Sequence, residues 1–239
     1  MLRVAFVLLI AITLLIIPGV PVIIVDIFDR KGKFHGLMMR FWARAILWAG
    51  GVRVKVEGLE KLKSRGPYVI ISNHESALDI MVIAGYLPLN IRFLAKKELF
   101  RIPLLGWILF FGRHIAVDRK KPRNSIEKIN RRARRLFLKN ISVIVFPEGT
   151  RSKTGELLPF KKGGFVLAAK FHVPILAITL LGTGKITPKK ELKIKPGTVK
   201  LRILEEINIV GETEVEDVKS KVETLIQKNK KSSPEIHHS

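Results

Sequence analysis

The sequence predicts an α/β fold in which a mostly parallel central sheet is covered by helices, with an N-terminal helical segment that anchors the chain to a membrane. Three observations support this prediction. A long uncharged run lies near the start, apolar segments of strand length alternate with helical segments, and polar motifs directly follow two of the apolar segments. The 239 residues suffice for one domain and an anchor.

The uncharged run covers residues 4–25. At about 1.5 Å per residue, a helix of that length would cross a hydrocarbon core of roughly 30 Å. Pro18 and Pro21 are expected to kink or end this helix after residue 17. A signal peptide is the alternative, but the apolar run is longer than such peptides need and no small-residue cleavage site follows. We therefore expect a retained anchor that spans the membrane or dips into one leaflet.

A second apolar pattern covers residues 34–48. Its apolar side chains recur at helical spacing: Leu37, Met38, Phe41, Trp42, Ala45 and Ile46. Arg40 and Arg44 lie one turn apart and would reach lipid head groups, which predicts an interfacial helix. The alternative is an amphipathic helix packed on a soluble core. The predicted organisation is an anchoring region at 1–50, an α/β domain at 51–229 and a flexible tail at 230–239.

Strand and helix segments alternate after Gly50 and Gly51. The predicted strands are 52–56, 68–72, 91–95, 114–117, 141–146 and 173–181, followed by a pair, 192–194 and 199–207, that turns at Pro196-Gly197. The predicted helices are 76–87, 99–111 with an interruption at Pro103, 123–138, 164–171 and 214–228. Ligands of such sheets gather at the C-terminal ends of strands, where both polar motifs lie. Neighbouring strand ends would place the two motifs side by side.

The first polar motif is Asn-His-Glu-Ser-Ala-Leu-Asp at residues 73–79. His74 is a candidate general base, since histidine titrates near neutral pH. Asp79 would fix the imidazole tautomer, provided that His74 lies just outside the helix and Asp79 lies in its first turn. The alternative is that Asp79 only caps the helix, because Ser76 and Asp79 have nearly the spacing of a capping box.

The second polar motif is Phe-Pro-Glu-Gly-Thr-Arg-Ser at residues 146–152. Gly149 permits close approach of the backbone to a ligand, and Arg151 offers a planar fork for phosphate oxygens. Thr150 would add a hydroxyl donor, and Glu148 would orient the arginine or bind a substrate hydroxyl. The alternative is an ordinary turn with a surface salt bridge.

The composition favours anionic partners. The formal net charge is +23 and the pI is about 10.5, which suits anionic lipid, nucleic acid or an acidic carrier protein. No recognised nucleic-acid-binding motif occurs, so nucleic acid is not an expected partner. The absence of cysteine excludes disulfides and thiolate nucleophiles, and the histidines lack zinc-ligand spacing, so no metal site is predicted. A single glutamine among many charged residues is typical of thermophile proteins.

Positive charge is densest on the predicted helix 123–138 and just after it. The basic residues there are Lys128, Arg131, Arg132, Arg134, Arg135 and Lys139. This face would dock an acidic carrier or lie on anionic lipid; the alternative is an ordinary solvated face.

The two polar motifs resemble the first and third conserved blocks of the glycerolipid acyltransferases, and most closely those of the 1-acyl-glycerol-3-phosphate acyltransferases. Residues 112–119 resemble the second block of this family and residues 173–179 the fourth, so the resemblance covers about 68–181. Two departures concern substrate fit more than chemistry: Ala116 replaces a bulky apolar residue, and Ala177 stands where a second proline is frequent.

The resemblance implies transfer of an acyl group from a thioester to the free sn-2 hydroxyl of lysophosphatidate, which yields phosphatidic acid for phospholipid biosynthesis. His74 would deprotonate the hydroxyl and Asp79 would hold the imidazole. The phosphate would be held by Glu148, Gly149 and Arg151 of the second motif, together with Arg119. Lys97, in a stretch that also looks similar to the family, would be a further phosphate contact.

The resemblance also implies the partners. The acyl donor would be acyl carrier protein or coenzyme A thioester, and no other cofactor is expected. We expect the chain at the cell inner membrane, bound to an anionic surface with its catalytic domain on the cytoplasmic side. Two alternatives stay open: an acyltransferase for glycerol 3-phosphate or another lysophospholipid, and a basic protein that binds phospholipid or nucleic acid without catalysis.

Overall fold

The centre of the protein is a sheet whose middle strands are apolar on both faces. A computed structural model describes residues 2–64, 66–118, 125–152, 154–188 and 193–231. The strands are β1 Val52–Glu57, β2 Val69–Ser72, β3 Ile91–Lys96, β4 Ile115–Val117, β5 Ser142–Val145, β6 Ile175–Leu181 and β7 Gly197–Ile207. The helices are α1 Leu2–Ile16, α2 Gly19–Phe28, α3 Lys33–Ala49, α4 Leu78–Tyr86, α5 Leu105–Phe111, α6 Ile126–Phe137, α7 Gly163–Phe171, α8 Thr183–Ile186 and α9 Val215–Lys231.

The strand order within these residues is β1-β7-β6-β2-β5-β3-β4. The five strands from β6 to β4 are mutually parallel, whereas β7 runs antiparallel to β6 and parallel to β1. The C-terminal ends of the five parallel strands therefore share one edge of the sheet. The predicted mostly parallel α/β fold is confirmed, and β2 and β5, which precede the two motifs, are direct neighbours.

Helices bury both faces of the sheet. Alternate residues of a strand point to opposite faces, so Val69 and Ile71 join a cluster with α6, α7 and α9, while Ile70 joins one with α3 and α4. Every residue of β2, β5 and β6 is buried. Full burial of one such aliphatic side chain stabilises the fold by roughly 1.5–3 kcal/mol. This packing explains why the central strands lack the alternation of apolar and polar residues seen in one-sided sheets.

The predicted hairpin between 192–194 and 199–207 is wrong. Residue 192 lies outside the described residues, and Lys193 to Pro196 form no strand. β7 instead inserts between β1 and β6, where the Gly197 N–H donates to the carbonyl oxygen of Gly51 at 3.1 Å. Two long partner strands satisfy the hydrogen-bonding groups of this eleven-residue strand better than a three-residue hairpin would.

The N-terminal helices present a large apolar surface. α1 ends before Pro18, as predicted, and Ile17 and Phe28 are 70% and 77% exposed. α3 packs on α4, where Arg44 Nε donates to the Gly85 carbonyl oxygen at 2.8 Å. Among the described residues, no single helix is both long and apolar enough to cross a membrane; α1 and α2 meet the criteria only jointly, with a bend of 42°. The membrane anchor therefore stays a prediction.

The last helix extends farther than predicted. α9 continues to Lys231, whereas the predicted tail begins at residue 230. The extended last turn includes Lys230, whose side chain forms an ion pair with Glu75. The other predicted tail residues, 232–239, lie outside the described part of the chain.

Candidate active site

The turn that follows β2 carries the histidine–aspartate pair. His74 Nδ1 lies 2.8 Å from Asp79 Oδ2, and the imidazole stacks on the ring of Phe146 with 4.0 Å between ring centroids. A carboxylate accepts hydrogen bonds only, so Nδ1 carries the proton and the lone pair is on Nε2. The pair is 6% and 0% exposed. The arrangement is that of an oriented general base.

Asp79 has both of the roles that the sequence suggested. It lies in the first turn of α4, and its Oδ2 also accepts the backbone N–H groups of Glu75 at 2.7 Å and Ser76 at 2.8 Å. Capping of the turn and orientation of His74 thus use the same oxygen atom. The negative charge near the helix N-terminus is also favourable for the helix dipole.

Asn73 fixes the start of this turn to the neighbouring strand β6. Its Nδ2 donates to the Leu180 carbonyl oxygen at 2.9 Å, while its Oδ1 accepts from Leu180 N at 2.8 Å and Thr179 Oγ1 at 3.1 Å. Asn73 is fully buried, so each of these bonds replaces one that water would otherwise make. No role for Asn73 was predicted from the sequence, although this residue opens the first motif.

The second motif is bonded directly to the first. Glu148 Oε1 accepts the His74 N–H at 2.7 Å, and the Ser152 N–H donates to the His74 carbonyl oxygen at 2.8 Å. The other carboxylate oxygen of Glu148 accepts the Leu158 N–H at 3.0 Å. Burial raises the pKa of Glu148, and these two N–H groups lower it. Glu148 therefore supports the loop backbone; a direct contact with substrate stays a prediction.

Gly149 occupies a backbone conformation that suits glycine. Its φ is +72°, and the Gly149 N–H closes a turn onto the Phe146 carbonyl oxygen at 3.0 Å. A Cβ at this position would lie 2.9 Å from Lys161 Nζ. Lys161 is thus a cation beside the second motif that the sequence analysis missed, although the pair Lys161-Lys162 just before α7 was a visible signal.

Among the described residues, the predicted phosphate-binding residues follow β3 and β5, whose C-terminal ends share one edge of the sheet. Arg151 is partly buried and directly precedes Ser152, whereas Thr150 is exposed. Lys97 follows β3 and its Nζ contacts Asp118 Oδ2 at 2.5 Å, at the end of the adjacent strand β4. Arg119, the next residue along the chain, lies outside the described residues.

An apolar cavity of about 450 Å³ lies between the N-terminal helices and α4. Ile80, the residue after Asp79, contributes to its wall. Most other wall residues come from the N-terminal helices, α4, β3 and α5, and include Leu15, Val22, Met38, Met81, Phe93 and Ile108. The volume falls within the range of small-molecule sites. The lining is suited to a hydrocarbon chain.

One wall of the cavity contains a buried polar chain that the sequence analysis did not predict. The Phe93 N–H donates to His114 Nδ1 at 3.2 Å, His114 Nε2 lies 3.2 Å from His35 Nε2, and His35 Nδ1 lies 2.7 Å from Asp26 Oδ2. Only one pair of neutral tautomers satisfies all three contacts: His114 protonated on Nε2 and His35 on Nδ1. Burial lowers the pKa of both imidazoles, that of His114 well below its ordinary value.

Two arginines adjoin this chain. Arg92 is fully buried and donates to the carbonyl oxygens of Gly112 and Gly32. Burial lowers the pKa of Arg92 to about 10, so it stays charged at neutral pH. Arg113 Nη2 donates to the Asp29 carbonyl oxygen at 2.7 Å. Together these contacts fasten α2 and α3 to the α/β core. Within the described residues, no three His, Cys, Asp or Glu side chains form a group suited to a metal.

The fold and the site together define an α/β protein equipped for proton transfer beside a basic loop. The chain belongs to the Acyltransferase family, whose profile matches residues 53–181. Its similarity to a solved structure extends much farther. The crystal structure of the 1-acyl-sn-glycerophosphate acyltransferase PlsC from Thermotoga maritima superposes with a TM-score of 0.81 at 28% identity, over 95% of this chain and 93% of that chain.

Curated relatives show the same family. The chloroplastic 1-acyl-sn-glycerol-3-phosphate acyltransferase BAT2 of Brassica napus is 41% identical over 181 residues, which are 75% of this chain and 51% of that protein. The 1-acyl-sn-glycerol-3-phosphate acyltransferase alpha of Homo sapiens is 34% identical over 176 residues, which are 74% of this chain and 62% of that protein. The chain thus spans about half to three fifths of the length of these relatives.

Proposed function

We propose that the protein transfers an acyl group from a thioester to the sn-2 hydroxyl of 1-acyl-glycerol 3-phosphate. The observation that carries the proposal is the direct bonding of the histidine–aspartate turn to the arginine-bearing loop, through His74–Glu148 and His74–Ser152. A base and a phosphate-binding group are needed together for a phosphorylated alcohol acceptor. The names of the relatives described above support the same acceptor.

The chemistry follows from the tautomer of His74. His74 Nε2 takes the proton of the acceptor hydroxyl while the hydroxyl oxygen attacks the thioester carbonyl carbon. Asp79 stabilises the imidazolium that forms. The tetrahedral intermediate then collapses and the carbon–sulfur bond breaks. The leaving thiolate takes the proton back from His74, so the ester, the free thiol and the neutral histidine are the products. The acceptor oxygen becomes part of the ester without a covalent enzyme intermediate.

Cations at the C-terminal edge of the sheet would bind the acceptor phosphate. Arg151 is the principal candidate because its guanidinium can form two parallel hydrogen bonds to phosphate oxygens. Lys97, directly after β3, would add charge, as would Arg119, which follows Asp118 in the sequence; Thr150 and Gly149 would add loop contacts. Glu148, whose carboxylate bears the same charge sign as phosphate, would contribute by holding the loop in place.

The apolar cavity would take a fatty acyl chain. It lies between the N-terminal helices and α4, and its wall includes Ile80, the residue that follows Asp79 in the chain. The apolar surfaces of α1 and α2, with exposed Trp107 and Phe110 on α5, would lie on the inner membrane from its cytoplasmic side. The basic face of α6 would receive an acidic donor, either acyl carrier protein or coenzyme A.

The proposal is tested by transfer of a radiolabelled acyl group to lysophosphatidate from acyl carrier protein and, in a parallel assay, from coenzyme A. We expect product with at least one donor and loss of product in His74→Ala. His172→Asn is the matched control, because His172 is exposed at φ +50°, a conformation that asparagine tolerates. Parallel assays with glycerol 3-phosphate as acceptor show whether the protein prefers this acceptor to lysophosphatidate.

Two outcomes would contradict the proposal. Preference for glycerol 3-phosphate or another lysophospholipid would reassign the acceptor. No transfer to any acceptor, together with intact binding to phospholipid vesicles, would favour the basic lipid-binding protein.

A further inference from the structure

The side chain of Lys230 reaches the catalytic turn from the last turn of α9. Its Nζ forms an ion pair with Glu75 Oε1 and donates to the Gly155 carbonyl oxygen at 2.6 Å. The Lys230 and Glu75 side chains are only 14% and 12% exposed. Lys230 lies well beyond the region matched by the family, residues 53–181. The ion pair is therefore a largely buried contact between the site and a helix outside that region.

Glu75 is fixed at both its backbone and its side chain. It directly follows His74, and its N–H donates to Asp79 Oδ2 at 2.7 Å, the oxygen that also holds the imidazole. Its Oε1 accepts Asn73 Nδ2 at 3.3 Å in addition to Lys230. A displacement of the Glu75 carboxylate would thus move the backbone N–H that helps to place Asp79.

The Gly155 carbonyl oxygen accepts the second hydrogen bond of Lys230. The segment 154–158 follows the second motif, and the Leu158 N–H donates to Glu148 Oε2 at 3.0 Å. The other oxygen of Glu148 holds the His74 N–H. Lys230 therefore connects the turn that carries the base with the loop that follows the arginine motif. The positive charge of Lys230 also lowers the pKa of Glu148, against the larger effect of burial.

We propose that Lys230 is a positioning residue for acyl transfer, acting through Glu75 on the His74–Asp79 pair. The inference rests on the proposed function. Loss of the ammonium would leave the Glu75 carboxylate partly buried without its counter-ion, which is unfavourable. The carboxylate would then turn toward solvent and pull the turn with it. Because the proposed role of Lys230 acts on the base, its loss should reduce kcat and leave KM for the acceptor unchanged.

The experiment compares Lys230→Met with Lys228→Met, a matched control at an exposed position of the same helix. We expect Lys230→Met to lower kcat by about tenfold to a hundredfold, because a small displacement of a catalytic group can cost about that much. KM for lysophosphatidate should stay within about twofold of the parent. Lys230→Arg, which retains the charge, should restore most of kcat.

A double-mutant cycle tests the route through Glu75. We expect Lys230→Met to cost less kcat in the Glu75→Gln background than in the parent, because no unpaired carboxylate remains. Equal costs in both backgrounds would overturn the route. Equal kcat values for Lys230→Met and Lys228→Met, or a rise in KM without a change in kcat, would overturn the positioning role. A lower melting temperature without rescue of kcat by Lys230→Arg would show a merely structural contact.

Amide hydrogen exchange provides a readout that does not depend on activity. Lys230→Met should speed exchange in peptides covering residues 74–79 relative to Lys228→Met, because the Glu75 and Ser76 N–H groups would lose protection. Unchanged exchange there would overturn the inference. If the parent protein transfers no acyl group, the proposed function fails on its own, and the exchange result still decides whether Lys230 holds the turn.

Discussion

A single carboxylate oxygen organises the turn that carries His74. Asp79 Oδ2 accepts from His74 Nδ1 and from the backbone N–H groups of Glu75 and Ser76. Because one oxygen atom accepts all three hydrogen bonds, the imidazole is held at a fixed position relative to the backbone of the turn, as well as close to the negative charge of Asp79. The role of Asp79 is thus geometric as well as electrostatic.

Asp79→Asn should reduce kcat for acyl transfer by about 10²- to 10⁴-fold with little change in KM, because the amide stabilises neither the required tautomer nor the imidazolium. Steady-state kinetics with lysophosphatidate measures the effect. Asp217→Asn, at an exposed position on α9, is the control. Activity of Asp79→Asn close to that of the control would contradict the role of the pair.

Arg151→Ala should raise KM for the phosphorylated acceptor more than KM for the thioester. A hydrogen bond to a charged group contributes about 1.5–3 kcal/mol, which corresponds to roughly tenfold to a hundredfold in KM. Arg53→Ala, at an exposed position on β1, is the matched control. Equal weakening of both substrates would remove the phosphate-binding role from Arg151.

At the scale of elements, the parallel pairing of β2 and β5 creates the site. Their C-terminal ends leave the sheet at the same edge, so the turns after Ser72 and Val145 are neighbours although about seventy residues separate them. The loop after β5 needs glycine at 149, both for its φ of +72° and because Lys161 occupies the space of a Cβ.

Gly149→Ala should therefore lower both stability and kcat. Gly155→Ala is the control, since Gly155 also has a positive φ, +81°, but no atom within 4 Å of a built Cβ. Both variants should lose roughly 1–2 kcal/mol from backbone strain, and Gly149→Ala should lose more by displacing Lys161. Thermal unfolding and kcat measure the difference. Equal effects in the two variants would show that Lys161 moves freely.

The attachment of α2 and α3 to the core should depend on pH. His114 and His35 have pKa values lowered by burial, so the folded state favours their neutral forms. Their contribution to stability is complete above the ordinary histidine pKa, about 6.5, and is lost as the pH falls from there through the lowered folded values. We expect a lower melting temperature at pH 5 than at pH 7.

His114→Gln should reduce this pH dependence, since its amide oxygen can accept the Phe93 N–H without titrating. The parent protein and His114→Gln must be compared because Glu148, whose pKa is raised by burial, changes the stability with pH in the opposite direction. An unchanged difference between pH 5 and pH 7 in His114→Gln would show that other groups cause the effect.

At the scale of the whole molecule, charge and apolar surface point to the same partner. The net charge of +23 attracts an anionic surface, and the exposed apolar side chains of α1 and α2 would enter its acyl region. Only the first of these contributions is screened by salt. Binding to anionic vesicles should therefore weaken but persist at high ionic strength.

The double variant Ile17→Asp/Phe28→Asp should lose this salt-resistant binding in vesicle sedimentation. Val210→Asp is the control. Val210 is 72% exposed, which is similar to Ile17 and Phe28, but it lies after β7, far along the chain from the N-terminal helices. Complete release of the parent protein by salt alone would contradict the anchor.

The sequence alone predicted most of the fold and the central part of the site. Uninterrupted apolar runs identified the buried strands, because their neighbours on both faces require apolar residues at every position. The motif around His74 and the motif around Arg151 were visible because each concentrates polar residues directly after an apolar strand. The proximity of these motifs followed from the expectation that strand ends share an edge, and the pairing of β2 with β5 confirms it.

Only the tertiary structure decided the partners of β7, the buried chain from Asp26 to His114, and the contact of Lys230 with Glu75. Each of these contacts joins residues far apart in the chain. The local sequence around a single histidine or lysine does not predict which distant residue it will contact. Local sequence determines which segments are helices and strands through propensity and periodicity. Long-range pairings depend on how the layers pack, and that is settled only when the whole core assembles.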